Sequence, residues 1–127
     1  MEIVGIGTEI VECLRIGRMI EQHGELFLTR VFTDREIRFC QARKRALEHF
    51  AALWAAKEAV LKALGQPWRR GMELSDIEVQ LAVDEPPRVH LGGATRELAE
   101  GLHLGDVLLS LSHCRAYATA TAIAVRG

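Results

Sequence analysis

The chain has 127 residues, 49% of them hydrophobic, and 16 basic residues nearly balance 17 acidic ones to a formal net charge of -1. This length suits one domain with one core, which we expect to span residues 1–127. The balanced charge argues against nucleic acid or an anionic membrane as the main partner. The cysteines, Cys13, Cys40 and Cys114, form no C-x-x-C pair, which favours reduced thiols over a disulfide framework or a zinc site.

The first ten residues predict a strand, because β-branched residues alternate with two glycines placed two apart. Such glycines indicate that something approaches the strand backbone closely. Glu9 is predicted at the strand's end, where a carboxylate either faces water or contributes to a site. No basic region leads into a signal-like segment, and no apolar run approaches the roughly 18 residues of a membrane span. We therefore expect a soluble cytoplasmic protein.

Residues 12–23 predict an amphipathic helix that Gly24 ends, because apolar side chains recur along one face. Basic and apolar residues in this region form a candidate surface for an acidic helix of a partner protein. They are Arg15, Arg18, Met19, Phe27 and Arg30. The alternative interpretation is a set of scattered surface arginines.

A helix start is predicted at Thr33, where Thr33 and Glu36 have the spacing of a capping box. In such a box the two side chains satisfy free amides of the first helical turn, so both residues are interpreted as structural. The basic segment 43–45 then precedes the central helix of the chain.

The central helix is predicted over residues 50–65, with a start as early as Ala46, because the segment is rich in Ala and Leu and ends at Gly65. Its only charged residues from position 51 onward are Lys57, Glu58 and Lys62. An ordinary surface helix is polar along half its circumference. The scarcity of charge therefore predicts a buried helix.

Glu58 and Lys62 lie four residues apart, so both project from one face of this helix. One interpretation is an ordinary helix ion pair, which stabilises by roughly 0.2 to 0.5 kcal/mol. The other is functional, since charged side chains are seldom buried unless they are paired or bind a ligand or metal. A carboxylate and an ammonium on an apolar helix suggest a metal and phosphate site.

The rest of the chain predicts a loop, a hairpin, a helix and two long strands. Residues 66–75 form the loop, with Arg69 and Arg70 as candidate phosphate contacts or solvated side chains. The following elements are strands 76–83 and 88–91, a helix over 93–104, and strands 106–113 and 117–125. We expect an α+β fold in which helices pack on one face of an antiparallel sheet.

Two features of the last strands carry functional hypotheses. Ser112 and His113 end a strand, where the histidine is either a partly exposed residue or a phosphate or ring contact. The final strand consists of small and β-branched residues and is predicted to be covered on both faces. In so small a domain this pattern suggests an oligomer interface.

Taken together, the motifs resemble those of the holo-[acyl-carrier-protein] synthases, the small class of 4'-phosphopantetheinyl transferases. The resemblance covers nearly the whole chain, and the motif of the central helix is the most specific. The matching stretches are Gly5-Ile6-Gly7-Thr8-Glu9-Ile10, Arg30-Val31-Phe32-Thr33-x-x-Glu36, Phe50-Ala51-Ala52-x-Trp54-Ala55-Ala56-Lys57-Glu58-Ala59, Lys62-Ala63-Leu64-Gly65, Asp76-Ile77-Glu78-Val79 and Ser110-Leu111-Ser112-His113.

The resemblance implies transfer of 4'-phosphopantetheine from coenzyme A to a serine of an apo acyl carrier protein, with Mg2+ required and adenosine 3',5'-bisphosphate released. Such a reaction, which serves fatty acid and lipid synthesis, depends mainly on positioning and charge neutralisation at phosphorus. Mg2+ takes one or two carboxylates together with phosphates and waters. The resemblance assigns these carboxylates to Glu9 and Glu58 and a phosphate-neutralising role to Lys62. It also implies that Glu58, directly or through a metal-bound water, helps to remove the serine proton.

The resemblance further implies that coenzyme A lies in clefts between the subunits of a homotrimer. Ser112 and His113 would lie near the nucleotide end and Gly65 near the pantetheine arm. The docking surface for the acidic carrier helix would be formed by Arg15, Met19, Phe27 and Arg30.

Three departures from the family pattern stand out. Glu9 replaces the usual Asp and is one methylene longer, so a bound metal would shift, lose a water or be held through a water instead of directly. Leu53 stands where the family often has an Arg that contacts nucleotide phosphate, so that contact requires Arg69, Arg70 or another basic residue. The turn 84–87 lacks a glycine often found there.

Two alternatives stay open at this stage. Glu9 and Leu53 motivate the hypothesis of a catalytically silent module that binds coenzyme A or a carrier protein. The sequence also leaves open a specialised acceptor, such as a carrier from polyketide or lipid assembly.

Overall fold

A computed structural model describes residues 1–65 and 73–127 and confirms the α+β class. Its elements in chain order are β1 (Glu2–Glu12), α1 (Cys13–His23), α2 (Glu25–Val31), α3 (Asp34–Gln41), α4 (Ala46–Ala63), β2 (Ile77–Gln80), β3 (Arg88–Leu91), α5 (Gly93–Gly101), β4 (Asp106–His113) and β5 (Tyr117–Arg126). A short 3-10 turn, Leu74–Asp76, precedes β2. Within the described ranges, no helix combines the length and the apolar character that a membrane span requires.

The strands form two antiparallel sheets, whereas the sequence predicted one. The first sheet has the order β1-β5-β4, and the hairpin of β2 and β3 forms the second. Strand β2 is tied to the helical layer, because the Val79 amide donates to Glu36 Oε2 of α3 at 2.8 Å. Strand β3 lies beside β4 of the larger sheet but forms no ladder with it.

The central helix α4 begins at Ala46, as predicted, and it is buried along most of its length. Beyond its first turn, its accessible residues are Trp54, Glu58 and Lys62, each one turn after the last. The helix ends where Gly65 adopts a φ of 73°, which favours glycine, and donates its amide to the Lys62 carbonyl at 2.9 Å.

Glycine lets α4 lie directly on the larger sheet. A Cβ at Gly7 would stand 2.0 Å from the Ala59 carbonyl oxygen, and one at Gly5 would stand 2.1 Å from that of Ala63. Across the same face, β5 contributes only small side chains, the buried alanines Ala118, Ala120, Ala122 and Ala124. The close approach predicted over β1 is therefore confirmed, and the approaching element is α4.

Several boundaries differ from the predictions. Strand β1 continues to Glu12, so Glu9 lies inside the strand and not at its end, because β1 pairs with β5 without interruption from Gly5 to Glu12. Strand β2 is limited to Ile77–Gln80, because Gln80 pairs with Arg88, the first residue of β3. Helix α5 stops at Gly101, since His103 has a φ of 55° that a helix cannot contain.

The sequence missed helix α2, which starts directly after Gly24. Its buried residues Phe27, Leu28 and Val31 follow helical spacing, which was the available signal. This helix packs against α1 and against the short turn that precedes β2.

The residues that the structure describes leave the outer face of the larger sheet uncovered. Ile6 and Ile10 on β1 are 62% and 60% exposed. Their neighbours Thr119 and Ile123 on β5 are half-buried, so the expected cover on both faces of β5 is absent from the described part of this chain. An apolar sheet face of this kind is typical of an interface.

Candidate active site

Packing of α4 on β1 brings Glu9, Glu58 and Lys62 together. Lys62 Nζ lies 3.3 Å from Glu9 Oε2 and donates to the Thr8 carbonyl oxygen at 2.9 Å. Among the described residues, Lys62 therefore pairs with β1 and not with Glu58, so the ordinary pair within the helix is not the one that forms. Because Gly7 permits the close approach, the Glu9 carboxylate lies beside the accessible stripe of α4, which consists of Trp54, Glu58 and Lys62.

The electrostatics of this cluster favour a bound cation. Burial and the nearby Glu9 carboxylate raise the pKa of Glu58, while Lys62 and Arg15 act in the opposite direction. A half-buried carboxylate whose charge is disfavoured by a neighbouring carboxylate forms a site that a divalent cation stabilises.

The donor set of this cluster matches a particular kind of metal site. Over residues 1–65 and 73–127, no group of three or more His, Cys, Asp or Glu side chains converges, so the protein offers two carboxylates here. A site with few protein ligands suits Mg2+, which keeps several waters or takes phosphate oxygens. The residues present thus fit the metal that the resemblance implies.

A shallow pocket of about 340 Å³ adjoins the cluster. It is lined by residues of β1, α4 and β5: Thr8, Glu9, Ile10, Lys62, Thr119, Ala120 and Thr121. The pocket offers hydroxyls and the Lys62 ammonium beside the Glu9 carboxylate, which suits a polar anionic group.

Gly65 is exposed and lies three residues beyond Lys62 at the end of α4. Its position is therefore adjacent to the cluster along the helix. The predicted loop continues from this point, and Arg69 and Arg70 lie outside the described residues.

Ser112 and His113 lie apart from the cluster within one chain. His113 Nδ1 is 2.9 Å from Glu48 Oε1, and the His113 ring contacts the His49 ring edge-on, with centroids 4.8 Å apart. Since an α-helix rises about 1.5 Å per residue, Glu48 and Glu58 stand about 15 Å apart along α4. Ser112, which pairs with Thr119 across the sheet, alternates to the opposite face.

The family Arg that Leu53 replaces has no counterpart at that position. Leu53 is buried in the core. The exposed Arg45 lies near the start of α4, with its Nη1 3.5 Å from Glu48 Oε2. Arg45 thus stands on the same side of the molecule as His113.

The predicted docking residues divide into exposed and buried. Arg15, Met19 and Arg30 are exposed, but Phe27 is only 9% exposed because its ring packs edge-on against Phe32 at 6.1 Å. Phe27 therefore offers little surface within one chain, and its contact with a partner stays a prediction. The exposed apolar side chains that the sequence missed are Leu14 and Leu26, the latter 55% exposed.

Arg15 also contacts the central helix. Its guanidinium carbon lies 5.5 Å from the ring centroid of Trp54, within the range of a cation–π contact. The residue proposed for docking thus touches the helix that carries Glu58.

Directly before Glu58, Lys57 is fully buried. Its Nζ donates to three oxygens: Glu36 Oε1 at 2.7 Å, the Leu74 carbonyl at 3.2 Å and the Ile77 carbonyl. Burial lowers the pKa of Lys57, and the charge and hydrogen bond of Glu36 counteract this shift. The sequence analysis assigned no role to Lys57. The available signal was a positively charged residue inside an apolar segment.

The partner of Lys57 serves several elements at once. Glu36 and Thr33 form the predicted capping box, in which the Glu36 amide donates to Thr33 Oγ1 and the Thr33 amide donates to Glu36 Oε1. Thr33 Oγ1 also donates to Glu78 Oε2 at 2.6 Å. The prediction of both residues as structural is confirmed, with a wider network than a helix cap requires.

Comparison with known proteins places these features in one group. The model of the 4'-phosphopantetheinyl transferase superfamily matches residues 5–122. The holo-[acyl-carrier-protein] synthase of Rhodopirellula baltica is 49% identical over 120 residues, which cover 94% of this chain and 95% of that protein.

Solved structures agree with this match. The holo-[acyl-carrier-protein] synthase of Neisseria meningitidis is 29% identical and superposes with a TM-score of 0.87, covering 98% of this chain and 99% of that one. The Bacillus anthracis synthase, solved in complex with CoA (3',5'-ADP), is also 29% identical, with a TM-score of 0.80 and full coverage of both chains, 100% each.

Proposed function

Because the chain belongs to the holo-[acyl-carrier-protein] synthases of the 4'-phosphopantetheinyl transferase superfamily, we propose that it transfers 4'-phosphopantetheine from coenzyme A to a serine of an apo acyl carrier protein. The observation that carries the proposal is the convergence of Glu9, Glu58 and Lys62 where α4 crosses β1. The reaction would take place in the cytoplasm and supply carriers for fatty acid and lipid synthesis.

The transfer exchanges one phosphorus–oxygen bond for another. The serine oxygen attacks the phosphorus that carries pantetheine, the bond to the bridging pyrophosphate oxygen breaks, and adenosine 3',5'-bisphosphate leaves. The serine proton passes to a base. Positioning and charge neutralisation therefore do most of the work that the protein contributes.

Glu9 and Glu58 would hold Mg2+ together with phosphate oxygens and water. When bound, the ion supplies charge neutralisation for the reacting pyrophosphate. Burial and the Glu9 charge raise the pKa of Glu58 in the metal-free chain, and a bound cation would act in the opposite direction. Glu58 would also help to remove the serine proton, directly or through a metal-bound water.

Lys62 would neutralise phosphate oxygens. Its ammonium is exposed and is held by the Glu9 carboxylate and the Thr8 carbonyl at the rim of the pocket. A cation already fixed at the pocket rim requires little rearrangement to contact an incoming phosphate.

The separation of Ser112 and His113 from this cluster supports a site completed by a second subunit. The exposed outer face of the larger sheet, with Ile6 and Ile10, is available for association. In a homotrimer, His113 and Ser112 of one copy would contact the nucleotide of coenzyme A bound at Glu58 of the next. Gly65, at the end of α4, would lie beside the pantetheine arm.

The carrier would dock on α1 and α2. Their exposed residues combine basic charge with apolar side chains, as an acidic amphipathic helix requires. These residues are Leu14, Arg15, Arg18, Met19, Leu26 and Arg30.

The test of the function is intact-mass analysis of an apo acyl carrier protein incubated with this protein and coenzyme A, with Mg2+ or with chelator. A gain of one phosphopantetheine that requires Mg2+ is expected, and it would demonstrate that Glu9 can serve where Asp is usual. Binding of coenzyme A without any gain on the housekeeping or specialised carriers would favour the silent module.

The first variant to measure is Glu58→Gln, which keeps the shape of the side chain and removes its charge. Transfer is expected to be lost while the circular dichroism spectrum stays unchanged. The control is Glu97→Gln on α5, an exposed residue remote from the cluster. Full activity of Glu58→Gln would remove the proposed roles in metal binding and proton transfer.

A further inference from the structure

Trp54 is the first residue of the accessible stripe of α4. Apart from this stripe and the first turn, the helix is buried. Glu58 and Lys62 follow Trp54 at intervals of four residues, so the three side chains lie on one face. The indole is therefore the member of the catalytic stripe that faces α1.

Helix α1 is brought to this stripe by its own packing. It follows β1 directly and packs against α4, and a Cβ at Gly17 would stand 3.2 Å from the Leu47 side chain. Across this contact the Arg15 guanidinium lies 5.5 Å from the Trp54 ring centroid. Arg15 would otherwise be a long exposed side chain with many rotamers.

We propose that Trp54 is a positioning residue for carrier recognition, and that its indole face holds the Arg15 guanidinium where the docking helix α1 meets the catalytic stripe of α4. This inference rests on the proposed transferase function and extends it to an aromatic residue of α4. Tryptophan suits the task because its ring is the best aromatic face for a cation.

The contact between Trp54 and Arg15 preorganises the guanidinium for binding of the carrier. A guanidinium that is fixed in advance loses less freedom when it binds a carboxylate of the carrier. Since Trp54 stands one turn before Glu58, the same contact also sets the distance between the docked carrier and the catalytic carboxylate. Trp54 would therefore act on the carrier and not on coenzyme A.

The experiment compares Trp54→Leu, which keeps apolar volume but loses the ring, with Trp54→Phe, which keeps an aromatic face. Initial rates are measured while apo carrier and coenzyme A are varied separately. Trp54→Leu is expected to raise the KM for the carrier about fivefold, which corresponds to about 1 kcal/mol for an exposed cation–π contact. The KM for coenzyme A should not change, and Trp54→Phe should retain most of the wild-type KM for the carrier.

A double-mutant cycle separates positioning through Arg15 from a general structural role. Once Arg15 is replaced by Gln, Trp54→Leu should raise the carrier KM no further, because the interaction is already absent. Equal effects of Trp54→Leu in both backgrounds would overturn the proposal. So would equal carrier KM values for Trp54→Leu and Trp54→Phe.

A second readout does not require the Leu variant to fold. In a Trp68→Phe background, Trp54 is the remaining tryptophan of the chain, and its fluorescence should change when Arg15→Gln is added and when apo carrier binds. Unchanged emission in both cases would overturn the proposal. Absence of transfer by the wild-type protein would instead contradict the proposed function, which keeps the two failures distinct.

Discussion

At the scale of single residues, the buried pair of Lys57 and Glu36 places two charged groups in the core, where each requires the other. Both side chains are fully buried, and their nitrogen and oxygen lie 2.7 Å apart. A buried pair of this kind contributes little net stability compared with apolar residues, but removal of one partner leaves an uncompensated charge. Lys57 also ties α4 to the carbonyls of Leu74 and Ile77, so it fixes the chain on the far side of the predicted loop.

We predict that Lys57→Met lowers the free energy of unfolding by about 3 to 5 kcal/mol, because Glu36 is left buried without its cation. Urea denaturation measures the change, and Lys44→Met, at an exposed position, serves as the control. The double variant with Glu36→Gln should lose less than the sum of the two single losses. A loss below about 1 kcal/mol for Lys57→Met would show that the pair is not the anchor described here.

At the scale of elements, the contact of α4 with β1 decides whether the site exists. Gly5 and Gly7 allow the helix backbone to touch the strand, and only this contact brings Glu9 to the stripe of α4. The neighbouring strand β5 meets the same requirement with alanines. Small residues on both strands thus determine how closely α4 packs on the sheet, and with it the position of the charged cluster.

We predict that Gly7→Ala destabilises the fold by at least about 3 kcal/mol or prevents folding, because the added Cβ meets the backbone oxygen of Ala59 and not a flexible side chain. Gly101→Ala is the matched control, since a Cβ there meets no atom within 4 Å. Thermal unfolding of both variants checks the prediction. Equal melting temperatures would mean that α4 can move away from β1 at little cost.

At the scale of the whole molecule, the proposed transferase site would be shared between subunits. His113 is held near the start of α4 by Glu48, whereas Glu58 lies further along the same helix. The uncovered sheet face offers a surface on which copies can associate. Assembly would then be a condition for activity and not only a source of stability.

We predict that mixing subunits restores activity. Glu58→Gln and His113→Ala proteins should each transfer poorly, but after they are unfolded and refolded together, about a quarter of the sites between subunits would contain both native residues. The mass assay measures the recovered rate, and each variant refolded alone is the control. No recovery, or a monomer by sedimentation, would contradict a site shared between subunits.

The sequence alone determined most elements of this fold, α2 excepted, and named the residues of its charged cluster. Strands β3 and β4, the start of α4 and the capping box at Thr33 lie where the pattern placed them. These features depend on local periodicity and on backbone groups near in sequence, so a linear pattern contains them. Glu9, Glu58 and Lys62 could be named in the same way, because their types and order match a specific motif.

The tertiary structure decided which of these residues touch. It paired Lys62 with Glu9 across β1 instead of with Glu58, placed Phe27 in the core, and joined Lys57 to Glu36. It also set the hairpin apart as a second sheet. Contacts between elements distant in sequence depend on how closely backbones approach and on which faces they present, and no local period encodes that geometry.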